Sequence, residues 1–390
     1  MADILIVGGG PAGLATALAL RQRGATVIVA DSMKPPIDKA CGEGLMPDSL
    51  RELARLGVEL TAEDGAAFRG IRFVNETNIA TAQFPSNSDY DVPIGIGLRR
   101  QSLHARLVAH AEQAGVELHW SSPVKLKENG CVLVDGKAVQ YGYLAGADGQ
   151  SSQVRRWAGL ERGTVLSRRF GFRQHFAVEP WSLFVEVHWG KSGQAYVTPV
   201  GLNEVCVATV TGNPHCRPQA LLKELPCLRN KLGGAKSKQM LSLDSERGAL
   251  TTTRRLKRIA SGRIALVGDA SGSVDAITGE GMGIAFRQAQ LLAECLETGN
   301  LDRYNKLHPD TLRLPQTMAR MILLMDRSVT IRNRALSMLA ADSGLFTRLL
   351  GVHLGSEPMM HFVATKGLEM AWRLTVPSSI VTALDRTARA

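Results

Sequence analysis

Apolar positions follow two periods along this chain, and the change between them marks its elements. Residues 4–7 (Ile4, Leu5, Ile6, Val7) form a short unbroken apolar run, the pattern of a strand covered on both faces. Glycines follow, and then residues 14–23, rich in Ala and Leu, predict a helix that ends at Gly24. Residues 25–30 are apolar again and predict a second strand, with Asp31 at its end. Between 165 and 212 the period shortens towards two. It predicts antiparallel strands at 169–178, 183–189, 195–201 and 205–210, the last two forming a hairpin. In the last eighty residues Met318, Met321, Ile322 and Met325 recur at helical spacing, which predicts an amphipathic helix.

The turn after the first strand reads Gly8-Gly9-Gly10-Pro11-Ala12-Gly13, a G-x-G-x-x-G pattern set between strand and helix. Each glycine has its own reason. Gly8 permits the tight turn, Gly10 lets backbone approach a pyrophosphate, and Gly13 lets the helix lie close to the strand. The helix start offers unpaired N–H groups and a partial positive charge to phosphate oxygens, with Pro11 and Ala12 in its first turn. Asp31, with Ser32 beside it, stands where a carboxylate accepts hydrogen bonds from an adenosine ribose. These features predict a bound dinucleotide and leave open which one.

The composition narrows the classes. At 390 residues, 45% hydrophobic and 21% charged, the chain is long enough for about two domains and too apolar for disorder. Six cysteines are scattered without a C-x-x-C pair or a zinc-like His spacing, so reduced thiols and no metal are expected. Neither a signal-peptide pattern nor a run of eighteen apolar residues is present, and a cytoplasmic protein is expected. The net charge is +10, but the basic residues are dispersed. That distribution suits an anionic cofactor and argues against nucleic acid.

Later segments carry a family likeness. Tyr143 to Ala147 is an apolar strand leading into Asp148-Gly149-Gln150-Ser151-Ser152-Gln153-Val154-Arg155, a D-G-x-x-S-x-x-R pattern. Residues 262–270 end a second apolar strand on Gly268-Asp269-Ala270, and Gly279, Gly281, Met282 and Gly283 follow at the start of a helix expected to reach 293. With the N-terminal turn, these segments resemble the para-hydroxybenzoate hydroxylase-like flavoproteins, which include aromatic monooxygenases and geranylgeranyl reductases. The likeness spans about residues 1–300.

It implies FAD as the dinucleotide. It places Asp148 and Gly149 near the pyrophosphate, Asp269 at the ribityl chain or ribose, and the 279–283 loop at the reduced flavin. It assigns Arg100, with Arg99 as a rival, to the FAD phosphates, and Val124 to the adenine. Only one dinucleotide turn is present, so NAD(P)H would bind transiently.

The architecture this implies is α/β, α+β overall. A Rossmann-like FAD-binding domain with a parallel sheet is drawn from 1–75, 95–160 and 255–305. An antiparallel-sheet substrate domain is inserted from 76–94 and 161–254, and a helical region follows at 306–390.

The redox step would belong to FAD, and candidates among the protein's own groups are few. Arg173 and His175 share one face of a strand and could meet substrate or flavin, or be structural. Cys41 and Gly42, in Cys41-Gly42-Glu43, resemble the reductase branch, where that loop lies beside the flavin; a small residue in a turn is the other reading. The W-x-W-x-I-P segment of flavin halogenases is absent, with Trp181 and Trp189 eight residues apart, so halogenation is not expected.

Two activities remain. The first is an NAD(P)H- and O2-dependent monooxygenase hydroxylating a lipophilic aromatic or polyketide-like molecule. The alternative is a reductase or dehydrogenase acting on a C=C bond of an isoprenoid or other lipid. A flavin-binding protein without catalysis is the remaining possibility. The Met-rich C-terminal helices read as a cap over a lipophilic tunnel, a peripheral membrane contact, or a plain packing layer.

Overall fold

The computed structural model describes residues 2–86, 93–127, 131–234 and 242–375. The expected substrate-domain stretch 87–92 and the end of the helical region, 376–390, lie outside the described residues.

The opening apolar run becomes the strand Ala2–Val7, buried at the centre of a six-stranded sheet. Parallel partners flank it: Tyr141–Gly146 and then Ile264–Leu266 on one side, Val27–Ala30 and then Glu117–His119 on the other. The helix Pro11–Arg21 leaves the first strand with Pro at its first position, where no backbone N–H is needed. It packs on the helix Gly281–Glu297, which runs past the expected residue 293. Their shared core includes Leu14, Leu18, Phe286 and Leu292.

A seven-stranded sheet forms the second layer, in the order Arg247–Leu256, Gly163–Phe176, Glu204–Thr211, Gly193–Gly201, Val185–Trp189, Gly70–Val74 and Ile79–Gln83. The 193–201 and 204–211 strands make the expected hairpin, with Gly201 paired to Glu204. One boundary is corrected here. The strand Gly70–Val74, assigned above to the dinucleotide domain, pairs in parallel with Val185–Trp189 and antiparallel with Ile79–Gln83. It therefore belongs to the inserted sheet. Its pattern, Gly-Ile-Arg-Phe-Val, carries no mark of which sheet will accept it.

The Val185–Trp189 strand shows how that sheet works. Val185, Val187 and Trp189 face a large cavity. Glu186 and His188 point the other way, as the period of two requires. Glu186 is buried, which opposes its ionisation, yet hydrogen bonds from His188 and Trp181 at 2.9 and 3.0 Å, with the nearby Lys231 charge, outweigh that cost. Its carboxyl is lowered to about 2.

The described residues finish in four helices, Leu301–Arg327, Val329–Ala341, Ser343–His353 and Met359–Thr375. Ser328 and Asp342 cap the second and third by accepting the backbone N–H groups of Ile331 and Leu345. Met318, Met338, Phe346 and Leu350 pack with Phe68 and Phe84, joining this layer to the rest of the molecule. No single described helix is long and apolar enough to cross a membrane; the second and third meet at 108°.

Candidate active site

Three separated stretches meet at the carboxyl end of the parallel sheet. A Cβ on Gly8, at φ 111°, would stand 2.5 Å from the Ala147 carbonyl oxygen, and one on Gly13 would stand 1.9 Å from that of Gly8. A Cβ on Gly268, at φ 61°, would lie 2.7 Å from the Ala12 Cβ. These glycines bring the first turn, the Asp-Gly turn and the Gly-Asp turn into contact. Arg155 fastens the latter two: its guanidinium donates to the Gln150 and Ala270 carbonyls at 2.8 and 3.0 Å.

A cavity of about 850 Å³ opens at this junction. One end is polar and includes Gly10, Lys39, Arg100, Asp148, Gln150 and Asp269. The other runs under the seven-stranded sheet to the C-terminal helices, past Trp189, Met318, Met325, Met338, Phe346 and Met370. Met321 and Ile322 also face it, so all four members of the methionine-rich spacing line the cavity.

The polar end fits FAD on its own geometry. Nothing lies within 4 Å of the place a Gly10 Cβ would take. Arg100 Nε, Asp148 Oδ1 and Gln150 Oε1 are buried without a hydrogen-bond partner among the described residues. Buried polar atoms left unpaired cost about 1–3 kcal/mol each, so this end is built to be completed by a polar ligand. The other oxygen of Asp148 is already used, accepting the N–H groups of Gln153 and Val154. Asp269 faces the cavity; the surrounding protein raises its carboxyl, and Lys39 and Arg100 pull it partly back.

The other expected cofactor residues divide. Pro11, Ala12, Cys41, Gly42, Gly149, Gly268, Gly279, Gly281 and Met282 are on the cavity wall. Gly8, Gly13, Asp31, Ser32, Val124 and Gly283 do not line it. Asp31 accepts the N–H groups of Gly9 and Met33, both at 2.7 Å, and so braces the glycine turn. A Cβ on Gly283 would strike Ser49 Oγ at 2.3 Å, so this glycine allows close helix packing. Val124 pairs with Val134 in a small three-stranded sheet.

The two arginines separate clearly. Arg100 faces the cavity, and Arg99 Nε is bonded to Glu204 at 2.6 Å. Buried His104, which the sequence pattern did not single out, bonds the Gly9 carbonyl at 2.8 Å and accepts from Ile37 N–H at 3.3 Å. Burial lowers its pKa, in keeping with a neutral ring.

Arg173 and His175 do share a face, with Arg173 Nη1 2.8 Å from His175 Nδ1, but neither reaches the cavity. They are buried behind Glu43, which does reach it and which holds the Cys41–Gly44 loop. Glu43 accepts from the Arg100 backbone N–H at 2.9 Å and contacts His175 Nε2 at 2.6 Å. Thr198 Oγ1 donates to the Gly42 carbonyl at 2.7 Å. Cys41 is on the cavity wall, and burial raises its thiol, which therefore stays protonated near neutral pH.

Glu43, His175 and Cys206 bring three potential ligand atoms within 4.8 Å of one another. The direct Glu43–His175 contact and the adjoining Arg173 guanidinium already answer those charges. Across the cavity, Glu280 Oε2 and His353 Nδ1 lie 3.8 Å apart, both buried.

The glycine turn, the two acidic turns and this divided cavity define an FAD-dependent oxidoreductase. The chain belongs to the FAD binding domain family, whose model matches residues 1–299. It is 27% identical to a menaquinone reductase of Mycolicibacterium smegmatis, over 80% of each chain. In fold it is similar to a p-nitrophenol 4-monooxygenase of Pseudomonas putida, at TM-score 0.74 and 20% identity, covering 90% of this chain and 96% of that one. A geranylgeranyl bacteriochlorophyll reductase-like protein of Thermoplasma acidophilum gives TM-score 0.72 at 19% identity, covering 94% and 98%.

Proposed function

We propose that this enzyme reduces a carbon–carbon double bond in a long, flexible, lipophilic substrate such as an isoprenoid chain. The observation that carries this reading is the cavity's apolar end, which extends from the flavin-side loops to Met338, Phe346 and Met370 of the C-terminal helices. Methionines adapt to a flexible chain at low cost, and they recur along this wall. The Cys-Gly-Glu loop and the names of the similar reductases point the same way.

Bound FAD would supply the hydride, with a nicotinamide nucleotide as its electron source. The protein's own residues do the rest. Gly10 and Arg100 would hold the pyrophosphate, and Asp148 and Asp269 the sugar and ribityl hydroxyls. Trp189, Met318 and Phe346 would exclude water and align the chain. Cys41 would keep a proton at Sγ beside the reacting carbons.

The similar monooxygenase, together with the same polar end, supports hydroxylation of a lipophilic ring using O2 as a second reading. One experiment separates them. The FAD-loaded protein is incubated with NADPH and an unsaturated isoprenoid alcohol, with and without air, and the products are read by mass spectrometry. Gain of two hydrogens without air supports reduction. Gain of one oxygen atom, only in air, would replace that reading with the second.

A further inference from the structure

We infer that Asp244, His175 and Glu43 form a proton relay that carries protons from solvent to the cavity wall beside Cys41. The inference rests on the reductive reading above. When a hydride from reduced FAD bonds to one carbon of the double bond, the π electron pair moves to the other carbon. That second carbon must take a proton. FAD leaves oxidised, and each turnover removes one proton from the cavity wall, which has to be replaced.

The contacts run in an unbroken line. Asp244 Oδ2 lies 2.8 Å from His175 Nδ1, and His175 Nε2 lies 2.6 Å from Glu43 Oε2. Exposure falls along the same line, from 28% for the Asp244 side chain to 1% for His175 and 1% for Glu43. Asp244 therefore meets solvent, while Glu43 is on the cavity wall. An imidazole between two carboxylates can release a proton from one nitrogen and regain one at the other.

The backbone adds a separate observation. Glu43 takes φ 59°, a left-handed conformation that costs a non-glycine residue about 1–2 kcal/mol. Gly42 and Gly44 flank it, yet the strained position carries a carboxylate. Strain held at one residue beside a reaction cavity points to a role for its side chain.

The charges around His175 favour its cation. Facing it are Glu43, Asp244 and, at 3.9 Å, Glu204, with Cys206 close by. Arg173 is the adjoining cation and is itself bonded to Asp38 at 2.5 Å and Asp244 at 2.8 Å. Arg99 pairs with Glu204, and Arg247 lies 3.5 Å from Asp38. Burial opposes protonation of His175, but Glu43 and Asp244 outweigh it and the pKa is raised. Asp244 is itself partly desolvated, yet the His175 backbone N–H and ring hold its carboxyl low. Glu43 and Asp244 thus favour the His175 cation, and Arg173 Nη1, 2.8 Å from the same Nδ1, opposes it.

The test uses the full FAD-loaded chain, dithionite as reductant and geranylgeraniol in detergent micelles as the alkene probe, across a pH series. Asp244→Asn is expected to slow alkene reduction about tenfold, and His175→Gln about a hundredfold. The rate should fall as pH rises through the His175 value. In Asp244→Asn that fall should move to lower pH, since a negative neighbour is gone. Added imidazole should restore part of the rate to His175→Ala.

A readout independent of turnover accompanies these. The NMR titration of His175 in the FAD-loaded chain should shift to lower pH in Asp244→Asn, an isosteric change at a partly exposed position that keeps the fold testable if His175→Gln does not fold. Wild-type rates in Asp244→Asn and an unmoved pH profile would overturn the relay while leaving the reductive reading intact. An unreactive probe with the wild-type chain would instead overturn the reductive reading, and the relay with it.

Discussion

Replacing Gly10 by alanine separates a glycine needed for the ligand from one needed for the fold. Gly10 sits at φ −74° and ψ 179°, which any residue adopts, and nothing lies within 4 Å of its missing Cβ. Alanine there would narrow the unfolded ensemble, stabilising the protein by about 0.4–1 kcal/mol. Gly10 is also the N-cap of the first helix, where alanine is poorer than glycine by about 0.5–1 kcal/mol. The two effects nearly cancel, so the stability of the FAD-free protein should change by less than about 0.5 kcal/mol.

The added methyl instead projects into the space that a pyrophosphate would fill. Overpacking of that kind costs about 1–3 kcal/mol, which is about 5- to 150-fold in FAD affinity. Gly13→Ala should do the reverse damage, because its Cβ would stand 1.9 Å from the Gly8 carbonyl oxygen. It should lower the stability of the FAD-free chain directly. Calorimetry on the FAD-free chains and quenching of FAD fluorescence on titration measure both quantities. If Gly10→Ala bound FAD with wild-type affinity, or unfolded several degrees early, the assignment of this turn to the pyrophosphate would be wrong.

Other outcomes follow from the same geometry. Arg100→Gln should weaken FAD binding about tenfold, the loss of one charge-assisted contact, whereas Arg99→Gln, which breaks only the Glu204 pair, should leave it within about twofold; equilibrium titration ranks the two, and the opposite order refutes the assignment. Buried His308 has its pKa lowered to about 4, so the folded state favours the neutral ring. Its contribution is full above pH 6.5 and is lost as pH falls towards 4, about 3 kcal/mol in all; urea unfolding of wild type and His308→Gln at both pH values should converge by that amount, and parallel curves would refute it. Ala335→Trp would fill the apolar end of the cavity from the Val329–Ala341 helix. A product profile across isoprenoid alcohols should show longer chains lost and shorter ones kept, and an unchanged profile would place the substrate elsewhere.

Much of this protein was legible along the chain. The glycine turn, Asp148-Gly149 and Gly268-Asp269 are local patterns whose physics lies in a few consecutive residues, so strand and turn could be read together, and the family resemblance they carry implied the cofactor. The hairpin at 193–211 and the methionine spacing at 318–325 were also local. Three things were settled only by packing. Residues 70–74 joined the second sheet because strand partnership depends on which edge is free, and no five-residue pattern records that. Asp31 also bonds the Gly9 N–H and Gly283 packs against Ser49, contacts between segments that the local pattern does not record. Arg173 and His175 share a face, as the period of two required, but Glu43 and Asp244 lie 132 and 69 residues from His175. Along the chain, the glycine turn determined that a dinucleotide is bound, and the family resemblance of the later segments implied FAD. Tertiary structure alone decided where the long apolar cavity runs and which carboxylates meet His175, because both depend on contacts between segments that no spacing along the chain encodes.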